Sequence, residues 1–249
     1  MSYLITLDLW GTIIGEKDYS SVSPKRSIKK CELIFDYVKE FSDTITLNDV
    51  SEALDFTVNK ISLYSRFFCD KLFFDWLLIF IRRLDHNLNK KLTKSQIVYI
   101  GELIDRAFLE FPPIIFNGSL KLIEFCKKNQ IKIGIISNTG FNSPKVYRNW
   151  LIKEKIFYDE IVLSNELGIA KPDKKIFYYT LDKLGIPPGN SIHFGDNPVA
   201  DIMGANSIGI SSVLISKNNS KNSINSNNFM TIDNISESVE VLKKWLDLF

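Results

Sequence analysis

What the chain lacks narrows its class before any motif is read. Cysteine is sparse: Cys31, Cys69 and Cys126 are far apart, odd in number and never in a C-x-x-C pair. A disulfide framework and a thiolate zinc site are therefore excluded, and buried thiols in a reducing cytoplasm are the expectation. Excess charge is also missing, since 31 Lys and Arg face 29 Asp and Glu for a net charge of +2. The one compact basic run, Lys25 to Lys30, is short and interrupted, so it reads as a solvated helix face and not as a nucleic-acid footprint. No uninterrupted apolar run is long enough to cross a bilayer. The segment Leu72 to Ile81 is cut by Asp75 and followed by Arg82 and Arg83, which suits a buried helix. The first residues enter a strand almost at once, so no signal peptide is expected and a cytoplasmic location is.

What remains is 249 residues, 45% hydrophobic and 24% charged, enough for one large domain or a core carrying an inserted module. A short apolar run, Leu4, Ile5 and Leu7, delivers Asp8 to a turn containing Gly11, as a parallel sheet presents a carboxylate at its carboxyl edge. Gly15 to Pro24 reads as a polar turn, and four helical stretches follow: Pro24 to Phe41, Thr46 to Tyr64, Lys71 to Leu88 and Thr93 to Phe111. Ser23 before Pro24, Thr46 before Asp49 and Thr93 before Gln96 supply their starts. Pro112-Pro113 ends the block, because neither residue can continue a helix.

Beyond Gly118 helices and strands alternate. Strands are expected at Ile131 to Ile136, Glu160 to Leu163, Ser191 to Phe194 and Ser212 to Ile215, with helices at Gly118 to Asn129, from Pro144, at Pro172 to Leu184 and from Pro198. Such repetition implies an α/β fold with a doubly wound parallel sheet. Because the first strand belongs to that sheet, residues 1–14 and 113–249 form the core and the all-helical residues 15–112 are an insertion. Residues 216–228, rich in Ser, Asn and Lys, read as a loop or linker. Ser236 to Leu248 reads as a last amphipathic helix.

In a parallel sheet the residues that follow each strand converge on one edge. Here that edge collects Asp8 and Thr12, then Ser137-Asn138-Thr139, then Lys171-Pro172, then Gly195-Asp196 through Asp201. The set supplies a nucleophilic carboxylate, small hydroxyls with backbone donors, one cation and two further acids. Phosphoryl transfer through an acyl phosphate needs these groups: a carboxylate to attack phosphorus, a hard cation such as Mg²⁺ to relieve anion repulsion, and donors for the equatorial oxygens. Taken singly, each is unremarkable. Ser137-Asn138 alone is a polar turn, Lys171 a solvated lysine, and Asp196, Asn197 and Asp201 helix-capping groups. His193, inside a strand, and Cys126, beside Phe125, read as core. The dense aromatic run Phe67, Phe68, Phe73, Phe74, Trp76 and Phe80 reads mostly as helix packing, with a fraction on the substrate side or a dimer contact.

Together the residues resemble the haloacid-dehalogenase-like hydrolase superfamily over Tyr3 to Ile215: DLWGT at 8–12, ISN at 136–138, Lys171 in AKPDKKIF, and GDNPVAD at 195–201. The resemblance implies a Rossmann-like core with a helical cap inserted between the first two motifs, matching residues 15–112. It implies Asp8 as nucleophile, Lys171, Ser137, Asn138 and Thr12 on the transferred group, and Mg²⁺ held by Asp8, Asp196, Asp201 and the backbone carbonyl of Trp10. The expected partner is a small phosphorylated molecule, with the protein a monomer or homodimer.

One position departs from the pattern. Phosphatases of this kind usually carry D-x-D-G-T, the second Asp acting as general acid and then base, whereas this chain has Trp10 there. The proton relay is lost, and general acid–base catalysis is typically worth about 10² to 10⁴-fold. A leaving group that departs unaided is then required, so aryl phosphates should be favoured over alkyl ones. Two other readings stay open. One is a catalytically reduced binding or regulatory protein. The other is 2-haloacid dehalogenation, which an aromatic at this position resembles, although Asp196, Asp201 and Phe177 fit it poorly.

Overall fold

In the computed structural model, which describes residues 2–16, 22–216 and 229–247, the chain opens with β1 (Leu4–Leu7), every residue of it buried. The two-residue strand β2 (Ile14–Gly15) follows, and then the helices α1 (Val22–Val38), α2 (Leu47–Arg66), α3 (Phe73–Leu84), the single turn α4 (Leu88–Lys91) and α5 (Lys94–Glu110). β3 (Ile114–Ile115) pairs antiparallel with β2, so the entry and exit of the helical block are tied side by side. The remainder runs α6 (Ser119–Lys128), β4 (Lys132–Ser137), α7 (Pro144–Lys153), β5 (Glu160–Leu163), α8 (Ser164–Leu167), α9 (Lys174–Leu184) and β6 (Ser191–Gly195). A widened helical segment, Pro198–Met203, runs into α10 (Gly204–Asn206), and β7 (Ser211–Ile215), β8 (Phe229–Ile232) and α11 (Ser238–Leu246) complete it.

Six strands form one parallel sheet in the order β5-β4-β1-β6-β7-β8. From the central β1 the chain builds outward through β4 and β5, then returns to the other side for β6, β7 and β8. This reversal leaves a crevice at the carboxyl end of β1, between β4 and β6, where ligands bind in open α/β sheets. Alternation along the strands sorts the side chains. Ile5, Leu7, Ile133, Ile135, Ile192 and Phe194 pack with Leu122, Trp150 and Leu242 of α6, α7 and α11. Leu4 and Ile136 pack with Ile176, Phe177 and Ala205 of α9 and α10 on the opposite face.

The helical block has its own apolar core, centred on Ile34, Val50, Trp76, Phe80, Ile100 and Ile104. Thr46 and Thr93 close full capping boxes with Asp49 and Gln96, as the sequence predicts. The helix expected to reach Leu88 stops at Leu84. Asp85 leaves the helix in an extended conformation and its carboxylate accepts from the Asn87 backbone N–H at 2.7 Å, a local turn that competes with helix continuation. The β2/β3 ladder and β8 are not anticipated by the sequence pattern, since two to four residues carry no readable period. The expected linker falls, apart from Ser216, outside the described residues, as does Leu248.

The basic run is a solvated face only in part: Lys25, Ser27 and Ile28 are exposed, whereas Arg26 and Lys30 turn inward. Arg26 is 8% exposed; its guanidinium donates to Glu16 at 2.6 Å and to the Phe111 carbonyl, and lies over the rings of Trp10 and Phe108. The amphipathic period of α1 places Arg26 against α5, where its charge closes the junction between block and sheet. Lys30 also turns inward, 3.4 Å from the Asn142 side chain, and burial beside Arg26 pulls its pKa down to about 8. Nearby, the Asp105 carboxylate accepts from Asn142 and from the backbone and hydroxyl of Ser143. One further expectation fails in the segment after α2, where Cys69 is exposed; Phe67 and Phe68 there are 70% and 49% exposed, while Phe73, Phe74, Trp76 and Phe80 pack in the helical core. Cys31 and Cys126 are buried as expected.

Candidate active site

Asp8 follows β1 directly, its backbone N–H donating to the Phe194 carbonyl at 2.9 Å, so the ladder with β6 fixes where its carboxylate emerges. Gly11 turns the chain with φ +77, and a Cβ there would collide with the Asp196 carboxylate. Only glycine suits both demands. From the next strand edge, Lys171 is 2% exposed, and its ammonium donates to Asp8 at 2.7 Å and to Asp201 at 2.6 Å.

Asp201 is placed by the segment after β6. Asn197 caps it, its side chain accepting from the Val199 and Ala200 backbones at 2.9 Å each. Asp201 in turn accepts from the Asn197 N–H at 2.9 Å. The helical ladder there widens, with Ile202 bonding back to the Asn197 carbonyl, a π-type turn of the kind found at functional sites. At Gly195 any Cβ would strike the Asp201 carboxylate, so the bare backbone makes room for the acid. The capping reading and the site reading of this segment are both met by the same atoms.

His193 is core, as expected, and is also tied to the site. Its Nε2 lies 3.2 Å from Asp201 Oδ1 and its Nδ1 is 2.9 Å from the Thr6 hydroxyl. An ionised Asp201 only accepts, so Nε2 carries the hydrogen and Nδ1 accepts from Thr6. Burial lowers the His193 pKa, which keeps the ring neutral. Thr6 and His193 are register partners across β1 and β6. Two polar residues in otherwise apolar strands were the sequence signal for this link.

The electrostatics divide the acids. Burial pushes the Asp8 carboxyl up to about 7, with Asp201 and Asp196 adding repulsion and Lys171 opposing both. For Asp201 burial works against ionisation, but Lys171 and His193 outweigh it and hold the carboxyl well below the usual range. Asp196 stands at the cleft wall with part of its surface exposed, and the desolvation of its carboxyl there and the charge of Asp201 raise its pKa. Lys171 loses basicity to burial and regains more from Asp201 and Asp8, so it stays charged. Oxygens of Asp8, Asp196 and Asp201 lie within 4.8 Å of one another. Closely set carboxylates of this kind suit a hard divalent cation.

A cleft of about 460 Å³ opens over these groups, lined by Asp8, Trp10, Asn138, Lys171, Asp196 and Asp201 from the sheet edge and by Ser65, Arg66 and Phe68 from the end of α2. That volume suits a small ligand. Asn138 ties the two sides: its amide donates to Ser65 at 3.1 Å and to the Lys171 carbonyl at 2.9 Å, and its oxygen accepts from the Lys171 N–H at 2.8 Å. Ser137 and Thr12 are fully buried and do not line this cleft; Thr12 lies along a second cavity with Gly11, Phe116 and Asp196, and its hydroxyl has no hydrogen-bond partner among the described residues. Trp10 reaches from the cleft wall into the junction with the helices, its indole N–H 3.3 Å from the Tyr147 hydroxyl and its ring edge-on to Phe108. Tyr147 offers no substitute acid near neutrality, since burial pushes its pKa up to about 12. Phe68 is one of the aromatic run of which a fraction is expected on the substrate side, whereas Ser65 and Arg66 carry no such signal, since nothing in sequence period marks which residue at a helix end faces a cleft.

Comparison with known proteins adds identity to this geometry. The family model described as haloacid dehalogenase-like hydrolase matches residues 4–209. Pyrimidine 5'-nucleotidase YjjG of Escherichia coli is 36% identical over 94 residues, covering 37% of this chain and 41% of that protein. Glyceraldehyde 3-phosphate phosphatase of Methanothermobacter thermautotrophicus is 32% identical over 99 residues, 40% and 43% of the two chains. The chain thus matches about two fifths of the length of these curated relatives. Among solved structures, 2-haloacid dehalogenase from Pseudomonas syringae superposes over 98% of this chain and 100% of its own with a TM-score of 0.64 at 18% identity, a likeness of fold.

Proposed function

The chain belongs to the haloacid dehalogenase-like hydrolases, and within that family we propose that it is a Mg²⁺-dependent phosphatase acting on a small phosphate ester through an aspartyl phosphate on Asp8. The observation that carries this reading is the buried Lys171 ammonium bridging Asp8 and Asp201, with Asp196 beside them. Dehalogenation displaces halide with a lone carboxylate, and three acids set this close repel one another unless a cation joins them.

Asp8 attacks phosphorus, and the bond to the leaving oxygen breaks with its electron pair staying on that oxygen. Lys171 meets the phosphoryl oxygens first, Asn138 holds Lys171 and Ser65 in place beside them, and Ser137 and Thr12 are the further hydroxyls of the same turns. Asp8, Asp196, Asp201 and the Trp10 carbonyl would hold Mg²⁺, which supplies charge neutralisation between nucleophile and phosphate. His193 and Thr6 keep Asp201 ionised and oriented, and Asp201 does the same for Lys171. Trp10 can neither protonate the leaving oxygen nor accept a proton from the attacking water, so the acyl phosphate should accumulate.

The helical residues 15–112 act as a cap over the cleft, through Ser65, Arg66 and Phe68. The natural partner is a small phosphorylated molecule, taken in a cytoplasmic setting; among the described residues no helix is long and apolar enough to cross a membrane. The test is turnover of phenyl and alkyl phosphates with Mg²⁺ and with chelator. Metal-dependent hydrolysis of the aryl ester with little on alkyl esters is expected, and Trp10→Asp should raise the alkyl rate. Absence of metal-dependent turnover of every phosphate ester, or halide release from 2-haloacids in chelator, overturns the reading.

A further inference from the structure

The end of α2 carries a group of residues that the phosphoryl chemistry does not use. Arg66 lines the cleft, is exposed, and among the described residues has no carboxylate within ion-pair distance although three acids lie on the same cleft. A guanidinium so placed faces whatever occupies the space above the phosphoryl group. Phe68 has φ 62, a left-handed conformation that bulky residues adopt only at a cost and that helix ends ordinarily give to glycine. The result of that conformation is a half-exposed ring on the cleft wall and not in the helical core.

The segment is held at both ends. Ser65 accepts from Asn138 at 3.1 Å, Cys69 bridges to Ile169, and the Asp70 N–H donates to the Gly168 carbonyl at 3.3 Å. Asp70 is itself anchored by the Trp76 indole at 2.7 Å. Arg66 and Phe68 therefore stand between two fixed points that tie them to the strand edges carrying Asn138 and Lys171.

We infer that Arg66 and Phe68, positioned by Ser65, form the leaving-group side of the site and select monophosphates of aromatic alcohols, whose departing oxygen leaves as a phenolate. This rests on the phosphatase reading above. With Trp10 in place of an acid, the P–O bond breaks without proton transfer and the electron pair remains on the aryl oxygen. Arg66 donates hydrogen bonds to that oxygen but keeps its proton, as a guanidinium does, and the phenolate takes a proton from water after release. Phe68 and Trp10 give the leaving ring two aromatic walls.

The experiment measures kcat/KM with Mg²⁺ for phenyl phosphate and nitrophenyl phosphate, together with calorimetric binding of phenylphosphonate and of inorganic phosphate. Arg66→Met should lower kcat/KM on phenyl phosphate by about 10²-fold, the scale of losing one oxyanion donor, and on nitrophenyl phosphate by less than about tenfold, because the less basic nitrophenolate needs less help. Arg66→Lys should recover part of the loss. Phe68→Gly should weaken phenylphosphonate binding about tenfold and leave inorganic phosphate binding unchanged. Its urea unfolding midpoint should hold or rise, since glycine accepts the positive φ. Equal losses of Arg66→Met on both esters, or unchanged phosphonate binding in Phe68→Gly, overturn the inference. If the native protein hydrolyses neither ester but binds phenylphosphonate more tightly than inorganic phosphate, and Phe68→Gly removes that margin, the subsite stands and the phosphatase reading falls. If the native protein shows no such margin, the subsite falls.

Discussion

At the sheet edge of the cleft the charges are compensated by one another, whereas at the junction between the helical block and the sheet Arg26 and Glu16 hold two parts of the chain together. Lys171 is shared by Asp8 and Asp201 at 2.7 and 2.6 Å, and Asp201 also takes His193. Arg26 takes Glu16 at 2.6 Å and the Phe111 carbonyl, under Trp10 and Phe108. Both are buried ion pairs, yet their consequences differ. A buried pair gives little net stability, while removal of one partner strands the other at a cost of about 3–5 kcal/mol. In the sheet cluster the stranded groups would be the reactive ones; at the junction they would not. Chemistry and stability should therefore separate between the two regions.

The largest expected effect is on Asp8 itself. Asp8→Asn should reduce aryl phosphate turnover at least about 10³-fold and leave the urea unfolding midpoint intact or raised, because a buried carboxylate burdened by desolvation is replaced by a neutral isostere. Lys171→Met comes next and should do both kinds of damage. It strands Asp8 and Asp201, for a loss of roughly 3–5 kcal/mol in equilibrium unfolding and about 10²-fold or more in turnover. If either variant kept its rate, the sheet cluster would not be the reaction centre.

Arg26→Met is the counterpart at the junction. It leaves Glu16 unpaired and removes a cation stacked on two rings, so a loss of about 3 kcal/mol is expected, with turnover at saturating substrate within about tenfold. A collapse of rate at unchanged stability would break the comparison, because the junction would then be acting on the site.

How much of this was readable in the chain follows the same division. The sheet edge was legible because most of its residues sit immediately after an apolar strand or in the first turn of a helix, and Lys171 lies in the short turn before α9, where backbone geometry dictates position: Asp8, Asn138, Lys171, Asp196 and Asp201 all line one cleft. Thr12 and Ser137 come from the same turns but are buried and off the cleft lining, a matter of side-chain direction that the order of residues does not encode. Arg26 was misread because a basic residue in a basic run resembles solvent-facing charge until its partners, Glu16 and Phe111, are brought to it by the β2/β3 ladder. That ladder is too short to be seen in any pattern. Arg66 and Phe68 depend on where α2 ends against the sheet, which is a tertiary fact.

A pH dependence sharpens the comparison from the sheet side. The pKa of Asp8 is raised from 3.8 to about 7, so between those values the folded chain binds more protons than the unfolded one and stability falls as pH rises. Asp196, also raised, acts in the same direction. His193, lowered, acts oppositely below its ordinary value of 6.5, and Asp201, lowered, acts only in more acid solution. Subtracting Asp8→Asn from the native protein isolates one group. Their difference in urea stability should widen by on the order of 2 kcal/mol from pH 4.5 to 7.5 in chelator, and shrink on adding Mg²⁺. An unchanged difference would mean that Asp8 is ionised across the range.

The smallest expected effect concerns Trp10, the residue that belongs to both regions. Its ring edge packs on Phe108 and its N–H reaches Tyr147 over a long 3.3 Å. Trp10→Phe keeps the aromatic wall and deletes only that bond, so it should cost about 0.5–1 kcal/mol. In a double-mutant cycle with Tyr147→Phe the coupling should be about as small. Turnover should change less than about threefold, since neither indole nor phenyl can pass a proton at neutral pH. The comparison with Trp10→Asp then separates two meanings of the position: a phenyl that preserves the rate and a carboxylate that extends it to alkyl esters would show that Trp10 closes the junction at the expense of the relay. A rate lost with phenyl as well would mean that the indole N–H itself takes part in the reaction.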